Sequence, residues 1–444
     1  MTAVSTYSPI NEMLPTEILG LVFEEHTLLH WNAPVVDGLV CRLWRQLILH
    51  TPGAWSRIAV RKVKVGPSVE ALRLWLDRAK SSPLHLQFEH DSEELQRLVA
   101  QYHTSISYLL WSCENFKVFD DRSFPNLRCL HITSWRQCSP KFGAMERLEH
   151  LNLVSMHPDI LDIKRIPPLK SITARYSYPS QLLQHSQATL TSLILKVVHI
   201  YIPTTLDLPN LRYLSVFEVT GIRPIINASR LEVFYESDII MGQWFSTPMP
   251  SVIQYSTCHT DGPLKIDAAT LYPNIRFLAL RLFPRHVVEY LKIFDSQEFE
   301  NGDRLSKLEV VELRYAYTPS NKFSTREATL LRERMQQIIE KRERGSGLKL
   351  QIWFRHGGPF SLPMRPAEVR PFRHRGTCIS FSFVEIRYPS SKFFNRTITH
   401  KVALLCMTLF AQLGVSMFCK FPCQCLSAFR TCPKVEGALT FRLW

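Results

Sequence analysis

The sequence predicts an α/β solenoid, in which a small helical segment leads into an array of short strands stacked as one parallel sheet. Three observations lead there. An apolar-x-x-apolar-x-apolar pattern recurs at a fixed interval. Two apolar helical stripes precede it, in a segment too short to bury them by itself. Proline (28) outnumbers glycine (16), which fits many short, punctuated segments and argues against a glycine-rich nucleotide-binding enzyme.

The 444 residues allow roughly two to four domains, or one elongated array. With 45% apolar and 21% charged residues, the composition excludes bulk disorder. The expected organisation is a disordered N-terminus (1–12), a helical segment (13–60), a helix–strand–helix lead-in (61–105), the array (106–357) and a basic tail (358–444).

The array is read from its spacing. The pattern opens at Ile106, Leu127, Leu148, Leu169, Leu190 and Leu211, each 21 residues after the last. Degraded copies follow at Leu231 and Val252, and good ones at Ile275 and Leu308. Alternation at the last two apolar positions is the strand period. A strand of that length cannot bury one face alone, so stacked copies share a continuous core. Pro125, Pro168, Pro209, Pro250 and Pro273 precede copies, where proline shapes the turn into the strand without breaking the ladder.

This array resembles a degenerate leucine-rich repeat. The family places a polar Asn or Cys eight residues after the first leucine. Here those positions are Trp135, Met156, Ser177, Val198 and Val219. The resemblance therefore implies no asparagine ladder and an irregular convex side.

In the helical segment, Pro15 suits a first helical turn, and Ile18, Leu19, Val22 and Phe23 form one apolar face. A second helix is expected from Val36, with Val36, Val40, Trp44 and Leu47 as its stripe. Thr51-Pro52-Gly53 ends it, and Trp55, Ile58 and Val60 begin a strand-like run. So small a unit needs a neighbour or a partner to cover its apolar side chains.

The stretches LPTEIL, VF, VCRLWR and TPGAW resemble the F-box of fungal, mushroom-type proteins. The matching residues are Leu14, Pro15, Glu17, Ile18, Leu19, Val22, Phe23, Val40, Cys41, Trp44 and Arg45, with Thr51, Pro52 and Trp55 trailing. The middle, HTLLHWNAPVVDG, departs from the pattern. The resemblance implies a non-catalytic substrate-receptor subunit of a Skp-cullin-F-box ubiquitin ligase. Leu14, Pro15, Ile18, Leu19, Val22, Phe23, Val40, Cys41 and Trp44 would bind the Skp-type adaptor, and through it a cullin-RING ligase. The array would capture an unknown protein target. The alternative is a non-ligase interaction scaffold, with the helices as a cap on the array.

Between the two, Ser68 caps a helix with Leu72, Trp75, Leu76 and Ala79 inward; LHLQF reads as a strand, and Ser92 caps a further helix. This lead-in is expected to shield the first edge of the array. At the far end, Thr325–Arg344 reads as a charged helix with Leu330, Leu331, Met335, Ile338 and Ile339 on one side and a solvated basic face. Leu348–Phe354 supplies a last strand.

No phosphate-binding loop, dinucleotide fingerprint, HExxH pair or nucleophile elbow occurs, so no enzyme, cofactor or metal site is expected. The tail holds twelve Lys/Arg against three acids, hence +9 of the net +14. The body is near balance, and no nucleic-acid partner is expected. An odd cysteine count (11) without a secretory leader points to a cytoplasmic or nuclear protein. Val402–Phe418 is short and interrupted for a membrane span, so no membrane association is expected. Cys419, Cys423, Cys425 and Cys432 lack paired zinc-knuckle spacing. The tail lacks the 21-residue pattern and is expected to lie outside the native fold.

Overall fold

A computed structural model describes residues 14–30, 32–60, 68–89, 92–112, 119–133, 142–155, 161–201, 205–222, 224–237, 244–245, 247–257, 268–282, 294, 297–303, 305–316, 325–347 and 350–357. They belong to one compact unit, Met1–Ser380. The second unit, Phe381–Trp444, lies outside the described residues, as do the expected disordered N-terminus and all of the tail.

The chain begins with four helices: α1 (Thr16–Leu29), α2 (Ala33–Asp37), α3 (Arg42–Leu49) and α4 (Pro52–Trp55). The single second helix expected from Val36 is corrected to two. Cys41 is fully extended, at φ −158° and ψ 171°, and its sulfur accepts a hydrogen bond from the Trp44 N–H, so helix α3 starts afresh there. Val36 and Val40 therefore do not share a stripe with Trp44. The residue that does is Ile48, 1% exposed. Trp55, expected in a strand, closes helix α4 and donates from Nε1 to the Ile48 carbonyl at 2.8 Å.

Strand β1 (Arg57–Val60), helix α5 (Val69–Ala79), strand β2 (Leu84–Phe88) and helix α6 (Glu93–Gln101) follow. Ser68 and Ser92 cap α5 and α6 by accepting from Ala71 N and Leu95 N. The lead-in covers the first edge of the array, as expected. Its strand β2 pairs with β1 on one side and the first strand of the array on the other, so the sheet starts inside the helical segment.

Then come β3 (Ile106–Trp111), β4 (Cys129–Thr133), β5 (His150–Val154), β6 (Ser171–Arg175), α7 (Ser180–Ser186), β7 (Ser192–Lys196), β8 (His199–Ile200), β9 (Thr205–Asp207) and β10 (Tyr213–Phe217). They are followed by β11 (Thr220–Gly221), β12 (Ile225–Asn227), β13 (Val233–Ser237), β14 (Gln254–Thr257), α8 (Ala268–Leu271) and β15 (Phe277–Leu282). The chain continues through α9 (Gln297–Glu300), β16 (Val310–Ala316), α10 (Thr325–Ser346) and β17 (Gln351–Gly357). Thirteen of these strands form one sheet in the order β1-β2-β3-β4-β5-β6-β7-β10-β13-β14-β15-β16-β17, and its register pairs are parallel. The last strand starts three residues later than expected, because all of its seven residues pair with β16.

Two facts make this an α/β sheet covered on one face. Along β4, β5, β6 and β7 burial alternates residue by residue. The buried positions are in register, as in Leu130–Leu151–Ile172–Leu193–Leu214–Phe234. The first leucine of each copy lies two residues before its strand and is wholly buried, as at Leu127, Leu148, Leu169, Leu190 and Leu211. The residue before it ties neighbouring copies together. Asn126 Nδ2 donates to the Thr104 carbonyl, Asn210 Nδ2 to that of Ala188 (both 2.8 Å) and Asn274 Nδ2 to that of Pro250 (2.7 Å).

Each of four strands is followed by a left-handed residue at the 21-residue interval: Ser155, Tyr176, Val197 and Glu218, with φ between 51° and 71°. Their N–H groups still bond the next strand, as Val197 N to the Phe217 carbonyl at 2.7 Å. Where the family would carry its asparagine, Val198 and Val219 are 1% exposed and pack as apolar residues. Trp135 and Met156 lie outside the described residues. The segments after the strands are irregular, as expected: α7, a 3-10 turn at Ile163–Arg165, and the two short pairs β8–β11 and β9–β12.

Helix α10 departs from its expected faces. Met335 and Ile338 are buried, but Leu330 is 55% exposed. Arg342, expected in water, is wholly buried: it lies 4.1 Å from the Phe299 ring centroid and donates to the Leu305 carbonyl at 2.7 Å.

Candidate functional site

The four N-terminal helices share a small core. Leu19 and Phe23 project from α1, Trp44 and Ile48 from α3, and Ala54 and Trp55 from α4, all under a tenth exposed. Phe23 and Trp44 meet edge to face, with centroids 5.1 Å apart. Trp55 packs edge-on to Trp75 of α5, 5.6 Å away, and Arg78 lies over the Trp55 ring at 4.5 Å. A buried pair joins α1 to α2, as His26 Nδ1 sits 2.9 Å from Asp37 Oδ2. Arg45 Nε then donates to the Gly38 carbonyl at 3.0 Å, holding the turn between α2 and α3.

That core leaves a second apolar surface in water. Ile18, Leu21 and Leu28 fall three and seven residues apart on α1, a stripe different from that of Leu19 and Phe23. Val35 on α2, Leu39 and Val40 in the turn, and Leu49 on α3 are also open to solvent. Leu39 is 72% exposed and Leu21 57%. Seven large apolar side chains left in water within so short a segment make it a candidate docking surface.

The residues expected to bind an adaptor divide between these two surfaces. Pro15, Ile18 and Val40 are exposed. Leu14, Val22 and Cys41 are half-buried, with Leu14 and Cys41 packed against the core. Leu19, Phe23 and Trp44 are buried in the chain's own core. The exposed Leu21, Leu28, Val35, Leu39 and Leu49 were not among the residues expected to bind an adaptor. The available signal was that α1 is apolar on more than one face, which a helix covered only by its own chain does not need.

The open face of the sheet is the other candidate surface. On its early strands burial disfavours the charged form of the imidazoles. His85 stacks on Tyr108 at 5.8 Å, and its imidazole is pushed down to about 4, chiefly by burial and then by Arg57. Burial also brings His131 down to about 4. Asn152 Nδ2 lies 3.3 Å from His131 Nδ1 and donates to it, which leaves His131 Nε2–H to donate to Thr133 Oγ1, also at 3.3 Å. His150 is lowered too, first by burial.

Among the described residues no group of three or more His, Cys, Asp or Glu is placed to hold a metal ion. Among them, too, no helix is long and apolar enough to cross a membrane. A scan against protein-family models finds no match to the chain, and a search of curated proteins finds none. The surfaces themselves carry the functional reading.

Proposed function

We propose that the chain is the substrate-receptor subunit of a Skp-cullin-F-box type ubiquitin ligase. In this reading residues 13–60 are an F-box, the sheet is a leucine-rich-repeat-like solenoid, and the two are fused through β1. One observation carries it: a compact helical unit with its own core keeps Ile18, Leu21, Leu28, Val35, Leu39, Val40 and Leu49 exposed. Each such side chain contributes about 1.5–3 kcal/mol when fully buried, before the cost of association. The Skp-type adaptor covers that surface. The array holds a protein target near a ubiquitin-loaded enzyme, and rate comes from effective concentration, without a catalytic group on this chain.

The test is co-purification of the full chain with the Skp-type adaptor, alongside Leu21→Glu and Val40→Glu. A stoichiometric complex lost in both variants, with unchanged melting, is the expected result. No complex from the folded parent overturns the proposal.

A second reading, a non-ligase interaction scaffold, is favoured by one observation. The helical unit donates the edge strand β1 and packs Trp55 on Trp75, as a mere cap on the array would. A folded chain that ignores the adaptor places this reading first.

A further inference from the structure

The open face of the sheet holds a like-charge pair set directly opposite on adjacent strands. Arg175 ends β6, Lys196 ends β7, and the two are register partners. Like charges so placed destabilise a sheet. At the opposite, N-terminal ends of these strands cations are compensated, Lys170 by Glu149 at 3.2 Å and Arg212 by Glu232 at 3.4 Å. Among the described residues, neither Arg175 nor Lys196 forms an ion pair. Arg175 lies instead over the ring of Tyr176, 4.7 Å from its centroid. Lys196 is half-buried, and its ammonium is pushed below its usual range by burial first and Arg175 second.

Exposed apolar groups follow these strand ends in the chain. Tyr201 is 78% exposed, Ile222 46% and Tyr176 43%. The β8–β11 pairing sets Ile200 opposite Gly221, so Tyr201 and Ile222 follow as neighbours. Glu218 is also close in register, one residue past Phe217, the partner of Lys196. Among the described residues these three charged groups sum to +1.

We propose that the C-terminal ends of β6, β7 and β10 bind a segment of a target protein through one aspartate or glutamate carboxylate held between Arg175 and Lys196, with an apolar neighbour on Tyr201 and Ile222. The guanidinium fork matches a carboxylate in two-point geometry. The charge sum selects the source: one carboxylate cancels it, whereas a phosphorylated side chain of about −1.5 to −2 overshoots beside Glu218. The inference deepens the target-binding role given above to the sheet and rests on that reading.

The experiment passes degenerate short-peptide pools over the immobilised full chain, with Asp, Glu, phosphoserine, Gln or Lys fixed at the centre. The expected result is retention of the Asp and Glu pools about tenfold above Gln, with Leu, Ile or Phe selected beside the acid. Arg175→Gln and Lys196→Gln each abolish that preference. Lys196→Gln also melts no lower than the parent, because it removes a repulsion. Equal retention of the Gln pool, retention unchanged in the variants, or a lower melting point in Lys196→Gln overturns the site. Preference for phosphoserine overturns the carboxylate assignment. Adaptor co-purification is scored separately: an adaptor complex without acid selection sinks this site alone, and acid selection without an adaptor complex sinks only the ligase reading.

Discussion

The Tyr255 hydroxyl donates a 2.5 Å hydrogen bond to the Glu236 carboxylate inside the covered face of the sheet, where both residues are at most 1% exposed. Glu236 stands in the inward row one strand after Val216, and Thr257 follows it one strand later. The degraded copies at Leu231 and Val252 thus exchange two aliphatic positions for a polar pair. Rings close around it, with Phe234 stacked on Tyr255 at 5.7 Å and Tyr272 at 4.9 Å.

Tyr255→Phe removes that donor from a buried carboxylate, and the expected loss is about 2–4 kcal/mol. Adding Glu236→Leu recovers part of it, since no charge then remains to be solvated. Urea unfolding of the two variants checks this. A double variant less stable than Tyr255→Phe alone counts against the account.

Stability should fall at high pH for the same reason. Burial first, then the charge of Glu236, raises both Tyr255 and Tyr272 above the ordinary 10.0. Raised groups favour the protonated folded form, so their contribution is intact below pH 10 and is lost as pH climbs beyond it. Each tyrosine contributes a slope of about 1.4 kcal/mol per pH unit. Urea midpoints between pH 8 and 11 should bend downward only past about 10.

Acid acts through the histidines of the open face. His85 and His131 sit at about 4 in the fold against an ordinary 6.5. Depressed groups stabilise above 6.5 and lose that contribution as pH falls toward 4, by roughly 2–4 kcal/mol each. His131→Gln should flatten the midpoint profile over this window. A parent profile already flat there would contradict the burial of these rings.

Val197 is β-branched and left-handed, with φ 51°. That conformation costs about 1–2 kcal/mol for an L-residue and little for glycine. Val197→Gly is expected to stabilise by about 0.5–1 kcal/mol after the entropy of glycine is counted. A destabilised variant would mean that the Val197 side chain contributes more by packing than its backbone costs.

The two faces of the helical unit should separate in thermal melts. Trp44→Ala leaves a cavity against Phe23 and should cost about 3–5 kcal/mol. Leu39→Ala, at a position 72% exposed, should stay within about 0.5 kcal/mol. Equal losses would mean that Leu39 is covered by the chain itself.

Much of the architecture was legible in the sequence. The spacing from Ile106 to Leu211 anticipated β3 to β10 of the main sheet, because strand alternation and wholly buried first leucines leave a periodic record. Ser68 and Ser92 marked two helix starts, because a cap needs its side chain at one place only. The break in the second helix was not legible. Val36, Val40, Trp44 and Leu47 keep helical spacing, yet the extended Cys41 and the Arg45–Gly38 bond divide them.

The sequence by itself determined the repeat, the parallel stacking it requires and the presence of an apolar helical unit, since each follows from local periodicity. Only the tertiary structure decided which apolar face is spent inside. Leu19 and Leu21 are two residues apart on one helix, and nothing local distinguishes them. Phe23 and Trp44 meet across the helices and enclose Leu19, while Leu21 is left to water. The same holds for Arg175 and Lys196, which are unremarkable apart in the chain and become a like-charge pair only when β6 and β7 come into register.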